Sequence, residues 1–348
     1  MWWSARALST LPGYSTQFFD LPFFMDSPPK QKPKVVVMGS GWAGHAFVSG
    51  VDRTLYDVQV VSERDSRLNQ PHMISLWKAT HTEMPVPVTV DSCVKVDVGS
   101  KRVVGKKDGY TYDYLVVATG SEPNTFGLPG VAENCLMCKT DADLVRLKSA
   151  LKAGEGVTVM GAGPTGVELA CKLKSLGHPV RIVEGGSTVL PGFSPTFQTT
   201  VLHSLADKGI WLLMEQKITG VTSTVIQTKA GDVTDAGLKV WTCGVRPTGL
   251  FRDLKALGQV DSSLRLGGRA DVFVIGDCAG RPPTAQSARQ QGEYLARQFN
   301  RRFIPDGAFE YKELGRIVDL EDRFVVEVGG FVFTVSSALR PVIHWFTR

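Results

Sequence analysis

No apolar run in the chain approaches the roughly 20 residues that a helix needs to cross a bilayer, which excludes a single-pass span and leaves a soluble or peripheral protein. Cysteine is sparse. The six cysteines are scattered except for Cys135 and Cys138, which excludes the disulfide framework of a small secreted domain. Neither sign of charge dominates, with 39 Lys and Arg against 34 Asp and Glu, and the basic residues are spread along the chain. A net charge of +5 distributed in this way gives no nucleic-acid surface and at most a weak attraction to anionic lipid. No acid precedes Asp20, in a stretch that carries Arg6, several Ser and Thr residues and many aromatics. That composition is expected of a mitochondrial transit peptide, with residues 1–33 as leader and linker. Pro12 and Gly13 would break an amphipathic helix there, so a partner-docking arm remains the alternative.

What is present is the composition of a folded α/β enzyme: 43% hydrophobic residues and 36 glycines in 348 residues, a length that suits two nucleotide-binding domains. A Pro and Lys linker from Pro28 to Pro33 gives way to consecutive valines in Lys34–Met38, the pattern of a buried strand. A second such run, Val157–Met160, follows a helical stretch predicted over Asp141–Leu151. Each strand enters a glycine-rich turn, a helix and another strand, the βαβ order of a parallel sheet. The fold class expected is α/β, with two Rossmann-like dinucleotide-binding domains and a short C-terminal appendage. Residues 34–133 with 265–305 form the first domain, 134–264 the second and 306–348 the appendage. Within that appendage, Phe324–Val328 and Phe331–Val335 read as a hairpin turning at Gly329 and Gly330. The segment Ala338–Phe346 is apolar with interspersed Arg340 and His344, and fits either a membrane surface or a terminal element packed on the core.

Gly39, Gly41 and Gly44 form a GxGxxG turn directly after the first strand, where absent side chains let backbone approach a pyrophosphate. Ser40 lies within that turn. The ribose-binding acid is expected at the end of the next strand, where the register gives Ser62, then Glu63 and Arg64. Gly161, Gly163 and Gly166 repeat the turn, with Pro164 and Thr165 opening its helix and Glu184 closing the following strand. An acid at Glu184 accepts hydrogen bonds from a free 2′-hydroxyl and repels a 2′-phosphate, favouring NADH over NADPH. Two dinucleotide sites in one chain suit hydride transfer between two dinucleotides, and FAD with NADH fits that description.

Three further motifs resemble those of two-dinucleotide flavoprotein reductases: YLVVATG at Tyr114–Gly120, WTCGVRP at Trp241–Pro247 and VFVIGD at Val272–Asp277. The resemblance implies FAD contacts at Thr119, Gly120, Gly276 and Asp277, and a counterpart turn at Gly244 near the second nucleotide. GDCAGRPPTAQSARQQGEYLA at Gly276–Ala296 is similar to the signature of type II, non-proton-pumping NADH dehydrogenases, and the likeness runs from Lys34 to Gln298. It implies that a helix containing Ala285 starts at the flavin, with Pro283 in its first turn, and that Gln286 and Gln290 line a quinone pocket. The GVE motif implies that Glu168 lies near the nicotinamide and flavin, orienting the nicotinamide or joining a proton path. A carboxylate simply favoured by the helix dipole is the other reading. The implied activity is non-electrogenic NADH:ubiquinone oxidoreduction, with hydride passing from NADH to FAD and two electrons on to quinone. The implied location is the mitochondrial inner membrane, peripherally, as a homodimer or part of a respiratory assembly. No metal site is expected.

Several features depart from that family. Asn69–Glu83 lacks its usual Phe-Thr-Pro-Leu-Leu type of sequence, Cys171 and Lys172 follow GVELA, and the C-terminal tail is short. A flavoprotein-derived structural subunit of a mitochondrial assembly therefore stays open, as does an oxidase similar to apoptosis-inducing factor. Cys135 and Cys138 keep a thioredoxin-reductase-like enzyme in view, although Leu-Met between them supplies nothing to favour a thiolate.

Overall fold

The computed structural model describes residues 31–346 except 236, 281 and 304–306, so the leader reading falls outside the described residues but for 31–33. β-branched valines build β1, Lys34–Met38, and Val35 to Met38 are wholly enclosed, as a strand covered on both faces requires. The chain turns at Gly39 into α1, Trp42–Gly50, and returns as β2, Asp57–Ser62. Two more strands of this sheet follow, β3 at Val88–Val90 and β4 at Tyr114–Val117. All their pairings are parallel, with Lys34 opposite Asp57 and Val35 opposite Tyr114.

The same plan is then repeated. β5, Leu136–Met137, leads to α2, Asp141–Ala150, whose start is fixed by a reciprocal capping box between Thr140 and Asp143. β6 (Val157–Met160), α3 (Pro164–Ser175), β7 (Val180–Val183), β8 (Trp211–Leu213) and β9 (Leu238–Trp241) complete a second sheet in the order β5-β9-β6-β7-β8, again parallel throughout. The chain next returns to the first sheet as β10, Val272–Val274, giving the order β10-β4-β1-β2-β3. This is the doubly wound α/β architecture expected.

Two connections decide where a site can form. The segments that leave β4 and β9, Ser121–Pro123 and Val245–Pro247, pair antiparallel with each other, and Arg246 and Arg252 both bond Glu122. The two sheets are thereby joined at the carboxyl ends of their strands, where open α/β sheets bind ligands. α4, Ala285–Asn300, crosses α1 so closely that a Cβ at Gly292 would lie 2.4 Å from the Ala43 carbonyl oxygen. It starts one residue after Thr284, whose hydroxyl accepts from the Ser287 amide, so Pro283 precedes the cap and is not in the first turn as expected.

The C-terminal region is more than a hairpin. β11 (Arg316–Asp319), β12 (Arg323–Val328) and β13 (Phe331–Ser336) form an antiparallel sheet, and the predicted turn at Gly329 and Gly330 has positive φ at both residues. A short helix, α5, follows at Arg340–Phe346.

Candidate dinucleotide and acceptor site

The glycines of the two fingerprints divide the same labour. Gly39 has φ 108° and a Cβ there would meet the Ala118 carbonyl oxygen at 2.4 Å; Gly161 has φ 103° and would approach the Thr242 carbonyl at 3.1 Å. These are the tight turns. At the third glycines, Gly44 and Gly166, a Cβ would strike the carbonyl oxygens of Gly39 and Gly161 at 2.2 and 2.0 Å, so only glycine lets helix pack on turn. At Gly41 and Gly163 a Cβ would meet nothing within 4 Å. The backbone there faces open space at a helix N-terminus, the form a pyrophosphate cradle requires.

The turns open toward a cavity of about 1880 Å³, well beyond the ~1,000 Å³ upper range of ordinary small-molecule pockets. Gly39, Ser40 and Gly41 line it, with Ser62, Glu63 and Arg64 from the end of β2. Thr119, Gly120, Gly276 and Asp277 line it from the first sheet, and Pro164, Thr165 and Gly244 from the second. Glu168, Ala285, Gln286 and Gln290 are on the same wall system. Gly44, Gly161, Gly163, Gly166 and Glu184 are not among its lining residues, although the four glycines shape the turns beside it.

Hydrogen bonding refines the expected roles. The Ser62 hydroxyl is occupied in bracing the first turn, 3.0 Å from the Ser40 hydroxyl, which also donates to the carbonyls of Arg64 and Ser66. Glu63 is then the available acid at this strand end, its carboxylate accepting from Ser92 at 2.6 Å. Glu184 accepts from the Ala162 and Gly186 amides, both at 2.7 Å, which fixes the carboxylate beside the second turn. Asp277 accepts from Ser121 at 2.5 Å, and Lys139 joins the pair, 2.9 Å from Ser121 and 3.6 Å from Asp277. Lys139 comes from the segment entering α2, so its ammonium links the second half of the chain to the first.

Gln286 and Gln290 line the cavity, yet their amides are committed elsewhere. Gln286 donates to the Gly315 carbonyl and accepts from the Leu314 amide; Gln290 donates to the Lys312 carbonyl and accepts from the Lys312 amide. The two side chains bind the 311–315 strap to α4 as strand neighbours would. Arg316 extends this fastening by donating to the Gly192 carbonyl and lying over the Phe193 ring.

Glu168 lies in the second turn of α3, beyond the first-turn region where the dipole acts, so the dipole reading is set aside. Its carboxylate accepts from the Asp319 amide at 3.2 Å, and Glu168 is among the residues that line the cavity. Desolvation, reinforced by Asp319 and Glu321, pushes its pKa up to about 8 despite that hydrogen bond and Arg340. Arg340 itself grips Asp319 with both terminal nitrogens, at 2.6 and 3.2 Å, and donates to the carbonyls of Glu321 and Ser75. Neither this clamp nor Lys139 was marked by a local motif. Arg67 was also unforeseen: its buried guanidinium is 4.0 Å from the Trp42 ring and bonds Asn69 and Thr82, tying down the divergent segment after β2.

All six cysteines are free thiols. Cys135 and Cys138 are buried in different hydrophobic clusters, and burial pushes both up to about 12. They have the environment of structural thiols and not of a redox dithiol.

The family model described as pyridine nucleotide-disulphide oxidoreductase matches residues 33–292. The chain belongs to this family. Among its relatives is an external alternative NAD(P)H-ubiquinone oxidoreductase of Arabidopsis thaliana mitochondria, 28% identical over 318 residues, covering 72% of this chain and 55% of the relative. An internal alternative NAD(P)H-ubiquinone oxidoreductase of the same organism is 28% identical over 350 residues, covering 78% of this chain and 67% of that protein. The chain thus spans about half the length of the first relative it matches. Of solved structures, NDH2 from Plasmodium falciparum in complex with NADH superposes with a TM-score of 0.79 at 19% identity, over 91% of this chain and 96% of that one. A ferredoxin reductase from Rhodopseudomonas palustris gives 0.74 at 19% identity, over 86% and 82% of the respective chains. These structural likenesses establish the shared fold.

Proposed function

We propose that the chain is an FAD-dependent NADH:quinone oxidoreductase that moves no ions across a membrane. The observation that carries this reading is one cavity, large enough for more than one ligand, lined by the first glycine turn, by Pro164 and Thr165 at the helix start of the second, and by Asp277 and Glu168. In this reading residues 34–133 with 265–305 hold FAD, residues 134–264 hold NADH, and 306–348 close the acceptor side. FAD, when bound, supplies the hydride acceptor and passes two electrons onward. The backbone at Gly41 would take the FAD pyrophosphate, Glu63 its adenosine ribose and Asp277 its ribityl or pyrophosphate region. The backbone at Gly163 takes the NADH pyrophosphate, and Glu184 disfavours a 2′-phosphate. The amides that open α4 at Ala285 and Gln286 stabilise negative charge beside them. Glu168 holds an exchangeable proton on the cavity wall near neutral pH, as reduction of a quinone to a quinol requires.

Gln286 and Gln290 act in this reading by shaping the acceptor wall through the strap they hold. Mitochondrial placement is proposed from the relatives' names and a peripheral position at the inner membrane from the family resemblance; no helix among the described residues is long and apolar enough to cross a membrane. An absorption spectrum of the purified chain tests the whole reading. A flavin band that bleaches with NADH under anaerobic conditions and returns on adding a soluble quinone is expected; absence of a flavin band, or indifference to NADH, refutes it.

A further inference from the structure

The carboxyls around Glu168 outnumber their counter-charges. Asp319 on β11 and Glu321 in the turn after it join Glu168 on α3, while Arg340 from α5 and Lys172 from α3 supply the cations. Arg340 holds Asp319 in a two-point ion pair, and Lys172 holds Glu321 at 2.9 Å. Among the described residues Glu168 has no ion-pair partner; its carboxylate receives one backbone amide. The other titratable groups acting nearby, again among the described residues, leave this count unchanged. Cys138, ahead of α2, and Cys171, on α3, are buried thiols pushed up to about 12. Asp322 is matched by Lys208 and Arg323. A buried or half-buried carboxylate without a counter-ion takes up a proton in preference to remaining charged.

We propose that Arg340 is a positioning residue that decides which carboxyl of the Glu168, Asp319 and Glu321 cluster carries a proton, keeping it on Glu168 at the cavity wall. Asp319 is about 5% exposed and burial already pushes its pKa up, so without Arg340 only the Glu321 amide and Lys172, itself paired with Glu321, would support its charge, and it would bind a proton as well. Conversely, with Asp319 neutralised by substitution, Arg340 is released to serve Glu168, and the cluster then balances without any proton. The same clamp holds the Asp319 amide on Glu168 and, through the Ser75 carbonyl, fastens α5 to the segment after β2. The C-terminal segment is therefore part of the proton-holding site and not an appendage to it. Its place in turnover rests on the function proposed above, but the proton count does not.

The test is to count protonated carboxyls in the full chain by carboxyl-carbon NMR, titrated across about pH 5 to 9, a range that lies above ordinary carboxyl values and spans the raised one. At neutral pH the wild type is expected to show one protonated carboxyl that disappears in Glu168→Gln. Arg340→Gln should gain one, Arg340→Lys should restore the wild-type count, and Asp319→Asn should lose the Glu168 proton. The opposite signs of Arg340→Gln and Asp319→Asn separate charge control from general loosening of the C-terminal segment. An unchanged count in Asp319→Asn, or in a folded Arg340→Gln, overturns the proposal. If the counts change as stated while NADH fails to reduce quinone in the wild type, the function reading falls and the role of Arg340 stands.

Discussion

Glu168 illustrates how a single carboxyl can be given two properties by its surroundings. Glu168 lines the cavity and is packed between α3 and β11, so burial disfavours the charged form and its pKa rises to about 8 despite the Asp319 amide and Arg340. A carboxyl raised on folding binds its proton more tightly in the folded chain than in the unfolded one. Its contribution is therefore most favourable below the ordinary carboxylate range and is lost as pH climbs from there toward about 8. Glu168→Gln should flatten that dependence: relative to wild type it gains stability with rising pH, by at most about 1.4 kcal/mol per pH unit for one proton. Urea midpoints measured on either side of neutrality check this, and parallel pH dependences for the two proteins would contradict it. The signal GVE pointed to the residue, but its proton-holding state arises from partners more than 150 positions away, including Asp319 with a separation of 151.

At the scale of elements, α4 organises the site by what it packs on and what it fastens. Its glycine at 292 permits the close crossing with α1, while Gln286 and Gln290, four residues apart and hence on one face, hold the 311–315 strap. Substituting both glutamines by Leu should cost roughly 1 kcal/mol for each hydrogen bond lost. Amide hydrogen exchange in the strap should then accelerate, with α4 itself unaffected; unchanged protection at 311–315 would show that other contacts hold it. The strands and both glycine turns were legible in the sequence for definite reasons. Parallel strands covered on both faces read as continuous apolar runs, and each glycine marks a place where backbone must approach backbone or ligand. The strap was not legible, because backbone groups carry no residue signature and the glutamines that bind them looked like pocket lining. Arg340 was hidden for a related reason: its partner Asp319 lies across the β12–β13 hairpin, a pairing that periodicity does not encode.

For the molecule as a whole, two similar parallel sheets and a third, antiparallel one converge on one cavity. The joining ribbon at Ser121–Pro123 and the Lys139 bridge to Asp277 place the two glycine turns in a common frame, which the tandem glycine patterns had suggested but could not orient. The family takes its description from pyridine nucleotides and disulphides, yet this chain has no disulfide and its six thiols are raised to about 11 or 12. Less than roughly one thiol in a thousand is ionised at neutral pH under those conditions. Alkylation with iodoacetamide should thus leave NADH oxidation within about twofold of untreated protein, whereas a loss of most activity would point to a working thiolate. The burial of these thiols has a further consequence for the life of the protein. Peroxide attacks thiolates, so a chain that keeps all six of its cysteine thiols protonated offers that oxidant little cysteine to react with.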